Sequence, residues 1–452
     1  MERKDTGRVH SPLLSVAPVL FSLVLLVIFQ TVPTDTTDVP TDQTASDLSD
    51  ASDVIAETGS TTDGSDDDER PGIQFRPRIA PSALYSSSRG VGIGGGVGIR
   101  NIGRPGTDLT VDLRLQQRYQ SADVTALTND PYDSRFHLLA SGGGSTTERR
   151  RFYGLGPNTL AESEVSLYHD AAQAELRAGY YPFGTTVLYI QPGVRMLYDY
   201  TGGVNQDASP GSLAAFDPIS RQSVEIAQGR GRYGLSAGVE IATDLRDWPA
   251  YPRRGLLATA EHRRFTAFDE SDLTLARYAT SVIGYLPIRG RTTVILRGVG
   301  LFTRSGDADG DGVDDPIPFY YLPVLDDRVA TAFRQERLTG RDVVAVGAGI
   351  RAPVFDFLGV YGIDALIMGY LGNAYDNVFE QFSPAISFRE GTALDEVGNA
   401  ALRPSLGLGL GLVNLDKERV VLGGLVGVGP GGVTLATLRV AYDLRDARPL
   451  FR

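Results

Sequence analysis

The 452 residues contain no cysteine, which excludes disulfides, thiolate metal sites and cysteine nucleophiles. Histidine is scarce, with His10, His137, His169 and His262 alone, so neither a His-based metal centre nor a His-driven acid–base site has material to draw on. There are one tryptophan and three methionines. Lysine is nearly missing too: Lys4 and Lys417 are the only two among 43 basic residues. Beyond residue 32 no stretch approaches the ~18 apolar residues that a membrane helix requires.

Glycine and tyrosine are abundant, at 53 and 20 residues. They are placed with a period of two. Residues 405–413 read Ser-Leu-Gly-Leu-Gly-Leu-Gly-Leu-Val, which sets Leu406, Leu408, Leu410 and Leu412 on one face and Gly407, Gly409 and Gly411 on the other. Only an extended chain sorts residues this way. Glycine weakens a strand interior, so three on one face of a water-soluble sheet would be costly. A strand with lipid against its leucines and a crowded lumen against its glycines tolerates them.

The N-terminus carries Arg3, Lys4 and Arg8 before an apolar run from Leu13 to Val32. Residues 1–32 read as a secretory signal peptide; the length of the run leaves an uncleaved signal anchor open. Residues 33–70 hold ten Asp and two Glu against one Arg, a composition expected to be disordered. The whole chain carries −12. The tail accounts for −11 and the leader for +1, so residues 71–452 are close to neutral at −2. No basic patch supports nucleic-acid binding.

From residue 71 onward alternating segments recur and no long amphipathic helix is visible. Fourteen are clear, at 90–100, 109–118, 135–141, 165–180, 187–198, 233–243, 256–265, 280–287, 292–303, 342–354, 359–371, 405–415, 420–427 and 432–444. In the last, Ala436, Leu438, Val440, Tyr442 and Leu444 share one face and Thr437, Arg439, Ala441 and Asp443 the other. Connections alternate in length as well. Short turns fall at 181–184, 288–291, 355–358 and 416–419, and long loops near 145–164, 201–231, 304–341 and 373–404. Short periplasmic turns and long external loops are the outer-membrane pattern. The expected fold is therefore all-β: a transmembrane antiparallel β-barrel at 71–452, in the bacterial outer membrane and in contact with its lipid.

Two nucleotide- or hydrolase-like motifs fail on context. Gly90-Val-Gly92-Ile-Gly94-Gly95 contains a formal G-x-G-x-x-G, but its glycines continue a period-two strand with no βαβ unit. Gly234-Leu-Ser236-Ala-Gly238 spells a nucleophile elbow, yet lies mid-strand where a sharp strand-to-helix turn is needed. No enzyme is expected, and no catalytic or cofactor site. The best metal candidate is the loop at 307–315: Asp307, Asp309 and Asp311 at positions 1, 3 and 5, Gly312 at 6 and Asp315 at 9 match the start of a calcium loop. Position 12 is Pro318 rather than a bidentate Glu. A weak structural calcium site and a plain solvated turn are both open.

The run Phe319-Tyr-Tyr-Leu-Pro-Val-Leu-Asp-Asp, then Phe333-Arg334-Gln-Glu-Arg337-Leu, then 342–354 resembles the sixth external loop and next strand of the bacterial surface antigen family, which includes the BamA and TamA assembly barrels. Phe152-Tyr153-Gly154-Leu-Gly156-Pro-Asn158-Thr159, Asp244-Leu-Arg246-Asp247 and Pro252-Arg-Arg-Gly255 agree in order and spacing. The resemblance implies about sixteen strands, two more than are clear by alternation, and a role in membrane-protein assembly or translocation through a weak seam between first and last strands. It also implies that the loop enters the lumen, where Phe333, Arg334 and Arg337 would sit and the arginines would meet carboxylates such as Asp364. The chain departs from the family in three ways. Thr331-Ala332-Phe333 stands where an Arg-Gly-aromatic tip is usual, Gly349-Ile350-Arg351 stands for Glu-x-Arg, and the client-capturing periplasmic domains are missing. Client barrel proteins or a separately encoded periplasmic partner are the implied partners; the alternative is a passive porin-like or structural barrel.

Overall fold

The computed structural model describes residues 82–440, apart from short segments at 87–89, 100–106, 130–135, 161–162, 184, 198–215, 228–231, 249–250, 269–272, 308–313, 327–328, 331–332, 334–335, 390–398, 417–418 and 431. The expected signal peptide and acidic tail lie outside the described residues, as do Tyr442 and Leu444.

Among the described residues sixteen strands form one antiparallel sheet, each paired to its neighbours in the chain. They are β1 (Ser82–Ser86), β2 (Gly90–Ile99), β3 (Thr107–Gln116), β4 (Tyr119–Asn129), β5 (Phe136–Phe152), β6 (Val165–Phe183) and β7 (Thr186–Ile190 continued by Gly193–Leu197). There follow β8 (Arg232–Asp244), β9 (Gly255–Ala267), β10 (Thr274–Arg289), β11 (Thr292–Ser305), β12 (Asp342–Phe357), β13 (Tyr361–Tyr375), β14 (Ala400–Asn414), β15 (Arg419–Gly429) and β16 (Gly432–Val440). Pro192 lacks an N–H and interrupts the ladder of β7. The register survives: Ile190 pairs Ala178 and Gly193 pairs Glu175, an equal step on both strands. Among the described residues no helix is long and apolar enough to cross a membrane; the crossing elements are strands. Only nine to eleven tilted residues span a bilayer, and β6 has nineteen, so several strands project beyond it.

The alternation sorts side chains as membrane barrels require. Leu406, Leu408 and Leu410 of β14 face outward at 49%, 53% and 62% exposure, while Gly407 is buried and Gly409 half-buried toward the lumen. The glycines make room for large neighbours. Gly407 sits opposite Met368 and Gly409 opposite Leu366 on β13. On the other side of β13, a Cβ on Gly347 would lie 2.4 Å from the Tyr370 ring and one on Gly349 2.1 Å from the Met368 sulfur. Large side chains of one strand thus lie over glycines of the next, filling the lumen wall without strain. The two rejected motifs are ordinary barrel wall. Gly90–Gly95 belong to β2, and Ser236 is buried in β8, donating to the Gly193 carbonyl at 3.2 Å.

Connections at the two ends follow the expected alternation from β5 to β7 and from β10 to β15. They depart from it at the two-residue turn between β3 and β4 on the long-loop end and at the longer Asp244-to-Gly255 connection on the short-turn end. At one end lie the turns between β6 and β7, β10 and β11, β12 and β13, and β14 and β15. At the other lie the described parts of the connections between β5 and β6, β7 and β8, β11 and β12, and β13 and β14. The first of these is shorter than expected, because β5 continues through Gly142-Gly-Gly-Ser-Thr-Thr-Glu-Arg-Arg-Arg to Phe152.

Candidate functional site

The lumen beneath the long loops is filled by the chain itself. Segment 306–341 turns inward through a short 3-10 helix, Phe319–Tyr321, and a small hairpin pairing Val324–Leu325 with Leu338–Thr339. Ile317, Phe319, Tyr321, Leu325, Phe333 and Leu338 are all at most 3% exposed. Phe333 packs with Leu325, Val329 and Leu338 against lumen-facing Val299, Leu301, Val343, Met368 and Tyr370. Burying so much apolar surface against this apolar stretch of the lumen wall holds the loop in place at roughly 1.5–3 kcal/mol per large side chain.

The returning arm of this loop is fastened to segment 153–164. Arg337 is fully buried. Its guanidinium donates to the Thr159 hydroxyl and the Thr159 carbonyl, each at 2.7 Å, and lies 5.0 Å from the centre of the Tyr153 ring. Glu336 accepts from the Arg151 N–H at 2.8 Å, the Gly156 N–H donates to the Thr339 carbonyl at 2.7 Å, and Arg403 donates to the Pro157 carbonyl at 2.5 Å. Gly154 and Gly156 adopt φ of +98° and +79°, a left-handed conformation that favours glycine and lets the segment fold over the loop. A helix, α1 (Pro218–Glu225), completes the cap. Asp217 caps its N-terminus by accepting from the Ser220 N–H at 2.9 Å, and Ser223 donates to the Ile317 carbonyl at 2.6 Å. The Phe-Tyr-Gly-x-Gly-Pro-Asn-Thr and Phe-Arg-Gln-Glu-Arg stretches, far apart in sequence, are two halves of one latch.

The opposite end has its own closure. The Asp244-to-Gly255 connection folds inward and buries Tyr251. The Tyr251 hydroxyl donates to Asp364, and Arg351 stacks 3.8 Å from the centre of its ring while donating to the Pro252 carbonyl. Arg291 donates to Asp364 at 3.3 Å and to Asp356 at 2.9 Å. Burial pushes the Tyr251 hydroxyl up to about 12, Asp364 reinforcing the shift. Burial opposes the Asp247 carboxylate, but the Trp248, Arg253 and Arg254 N–H groups outweigh it and hold that carboxyl below its ordinary range. Gly255 is obligatory: its φ is +108°, and a Cβ would lie 2.1 Å from the Leu245 carbonyl oxygen.

Midway along the wall, three neighbouring carboxylates share two arginines. Glu240 stands directly opposite Glu261. Arg177 reaches Glu240 at 3.3 Å, and Arg263 reaches Glu261 at 3.0 Å and Glu175 at 3.1 Å. Gln191, beside the ladder break at Pro192, donates to Glu240 at 2.5 Å.

Arg337 and Asp364, expected as partners, are not brought together. Arg337 enters from the long-loop end, whereas Asp364 is the fourth residue of β13 at the short-turn end, where Tyr251 and Arg291 take it. Arg334, Asp309 and Asp311 lie outside the described residues. Asp307 is exposed and Asp315 half-buried, the Asp315 N–H donating to the Gly306 carbonyl and its carbonyl accepting from Ser305. Among the described residues no three acidic or histidine side chains gather as metal ligands. The roles of Tyr251 and Thr159 have no local signal in the sequence: Tyr251 lies between the Asp244–Asp247 and Pro252–Gly255 stretches, and Thr159 ends one that marks only a loop.

The closing pair differs from every other. β1 has five residues and β16 nine. They lie side by side, yet among the described residues no hydrogen-bonded register joins them, whereas β1 pairs β2 over five positions.

No family model matches this sequence, and no curated protein matches it. Among solved structures, the chain is similar to BamA from Haemophilus ducreyi lacking POTRA domains 1–3, with a TM-score of 0.53, 13% identity and coverage of 80% of this chain and 69% of that one. It is also similar to CdiB from Acinetobacter baumannii, with a TM-score of 0.47 and 12% identity over 80% of this chain and 59% of that one. The fold is thus a BamA-like barrel.

Proposed function

We propose that this chain is an outer-membrane barrel that assembles or translocates other polypeptides at the seam between β1 and β16. The observation that carries the reading is that β1 and β16 lie side by side while, among the described residues, no hydrogen-bonded register joins them. A backbone N–H or C=O without a partner costs several kcal/mol in hydrocarbon. An edge that its neighbour does not satisfy is therefore a template on which an incoming strand can form hydrogen bonds. The filled lumen supports the same reading, because cargo that cannot pass through a plugged barrel is directed to its side.

The absence of native cysteine makes the test clean. Leu84→Cys on β1 is combined in turn with a cysteine at successive positions of β16, and the full chain is oxidised in membranes. A disulfide across the seam is expected to lower the outer-membrane levels of other barrel proteins, with recovery on reduction. If the cross-linked chain supports those levels like the uncross-linked one, the seam reading is wrong. A passive porin would instead give steady conductance in planar bilayers, which the capped lumen is expected to lack.

A further inference from the structure

Segment 376–388 folds over the outward face of the barrel, and the Arg389 carbonyl at its end turns back to accept from the lumen-side Arg403 at 3.0 Å. Register fixes the outward placement. Phe302 pairs Asp342, and Asp342 pairs Tyr375; with Val344 they occupy the outward face, since Leu301, Val343 and Ala374 between them pack into the lumen cluster. Outward residues of a barrel would ordinarily be exposed, but Asp342 and Tyr375 are fully buried. Tyr375 packs with Val378 and Ala400, and Phe302 and Val344 lean on that cluster. Phe379 stacks on Phe302, with centroids 6.4 Å apart and planes at 14°. Asp342 takes Arg304 as an ion-pair partner and accepts from the Val378 N–H at 2.9 Å. A short helical turn, Val378–Gln381, and a strand, Phe382–Ile386, parallel to the start of β14, make up this flap.

Its outer surface is unusually apolar for a loop. Phe379 is 84% exposed, Phe388 86%, Ile386 52% and Phe382 45%. Height decides what meets these side chains. From Thr292 to Phe302, β11 makes ten steps, which at ~3.3 Å per residue and a ~40° tilt rise about 25 Å, the height of an outer-membrane apolar band. The flap therefore begins where that band ends, continuous with the exposed Leu296, Val346, Ile350 and Ile367 below it.

Resting on the outer-membrane reading above, we propose that the flap is an interfacial anchor whose Phe379, Phe382, Ile386 and Phe388 insert into the upper acyl region of the outer leaflet. The occupant is lipid rather than a protein, because Phe302 and Val344 beneath the flap share the outward face of their strands with the exposed Leu296 and Val346 of the lipid-facing belt. The flap would hold β11–β14 at a fixed depth and shield the Arg304–Asp342 pair from hydrocarbon.

The chain has one tryptophan, so a Trp248→Phe background allows single reporters. Phe379→Trp, Phe388→Trp and, as a mid-belt control, Leu408→Trp are placed in the full chain. Each is reconstituted in phosphatidylcholine vesicles containing lipid brominated near the glycerol or at mid-chain. All three positions are exposed, and retained compact migration on unheated gels checks folding. The flap reporters are expected to be quenched about twofold more by the shallow bromine than by the deep one, the depth of an aromatic ~5–10 Å into the boundary; Leu408→Trp should show the reverse. If Leu408→Trp is quenched while the flap reporters respond only to aqueous acrylamide, the anchor is refuted and the barrel reading stands. If Leu408→Trp is itself unquenched, the membrane reading fails with it.

Discussion

The barrel wall is built to two standards. From β8 to β14 the strands run thirteen to sixteen residues. Their inner face carries the inserted loop, and buried arginines tie their ends. Around the closure, β15, β16 and β1 to β4 have five to eleven residues each. β2 contributes glycines at alternate lumen positions, where the opposite sector supplies tyrosine, methionine and phenylalanine. One sector is fixed by long ladders and large packed side chains, and the other has shorter ladders, five positions between β1 and β2 and eight between β2 and β3. Stability in a protein is distributed unevenly, and elements that must open come from its weak end. The contrast is what a lateral gate braced by a rigid back wall would require.

The largest effect is expected at the latch of the rigid sector. Arg337→Ala removes two hydrogen bonds to Thr159 and the cation–ring contact with Tyr153. Removing one partner of a buried charged interaction costs about 3–5 kcal/mol, and a loss of that size is expected in urea unfolding of the refolded protein. The loop at 306–341 should also become protease-sensitive and the bilayer conductance should rise. Unchanged conductance and protection would mean that the two sectors are not distinguished by the plug.

The floor of the same sector gives the next effect. Tyr251→Phe removes the hydroxyl that Asp364 accepts, at about 1.5–3 kcal/mol. The pH dependence has a definite sign. The folded pKa of Tyr251 is raised from 10.0 to about 12, so its contribution is complete below pH 10 and is lost as pH rises toward 12. The wild type should therefore lose stability over that alkaline window more steeply than Tyr251→Phe; parallel curves would remove Tyr251 from the account.

This division was only partly legible in the residues. Alternation located fourteen strands because their outward faces carry leucine, valine and isoleucine. It missed β1, which is five residues long, and β4, whose Gln120, Ala122, Val124 and Ala126 alternate with Ser121, Asp123 and Thr125 and show little hydropathy contrast. It also cut β5 short, since glycine, threonine and arginine above the apolar band have no need to look like a membrane strand. The latch could not be read at all. Thr159 and Arg337 are 178 positions apart, and nothing local marks either as the other's partner. Asp364 was identified as a lumen carboxylate, but which arginine or tyrosine reached it depended on which end of the barrel each entered.

The smallest effect separates the sectors most directly, by asking one question of two glycines. A Cβ on Gly349 of β12 would lie 2.1 Å from the Met368 sulfur and 2.3 Å from the Ile367 carbonyl oxygen. The sulfur can swing away, but the backbone cannot, so Gly349→Ala should cost about 1–3 kcal/mol as an overpacked site. A Cβ on Gly98 of β2 meets nothing nearer than 3.9 Å. There alanine fits, and the reduced freedom of the unfolded chain should stabilise by up to about 1 kcal/mol. Opposite signs in paired urea titrations would confirm a filled site at Gly349 and an open one at Gly98. Equal penalties would mean that β2 has no more room at Gly98 than at Gly92, where a Cβ would lie 2.2 Å from the Leu115 carbonyl oxygen, and the contrast between the two strands would go.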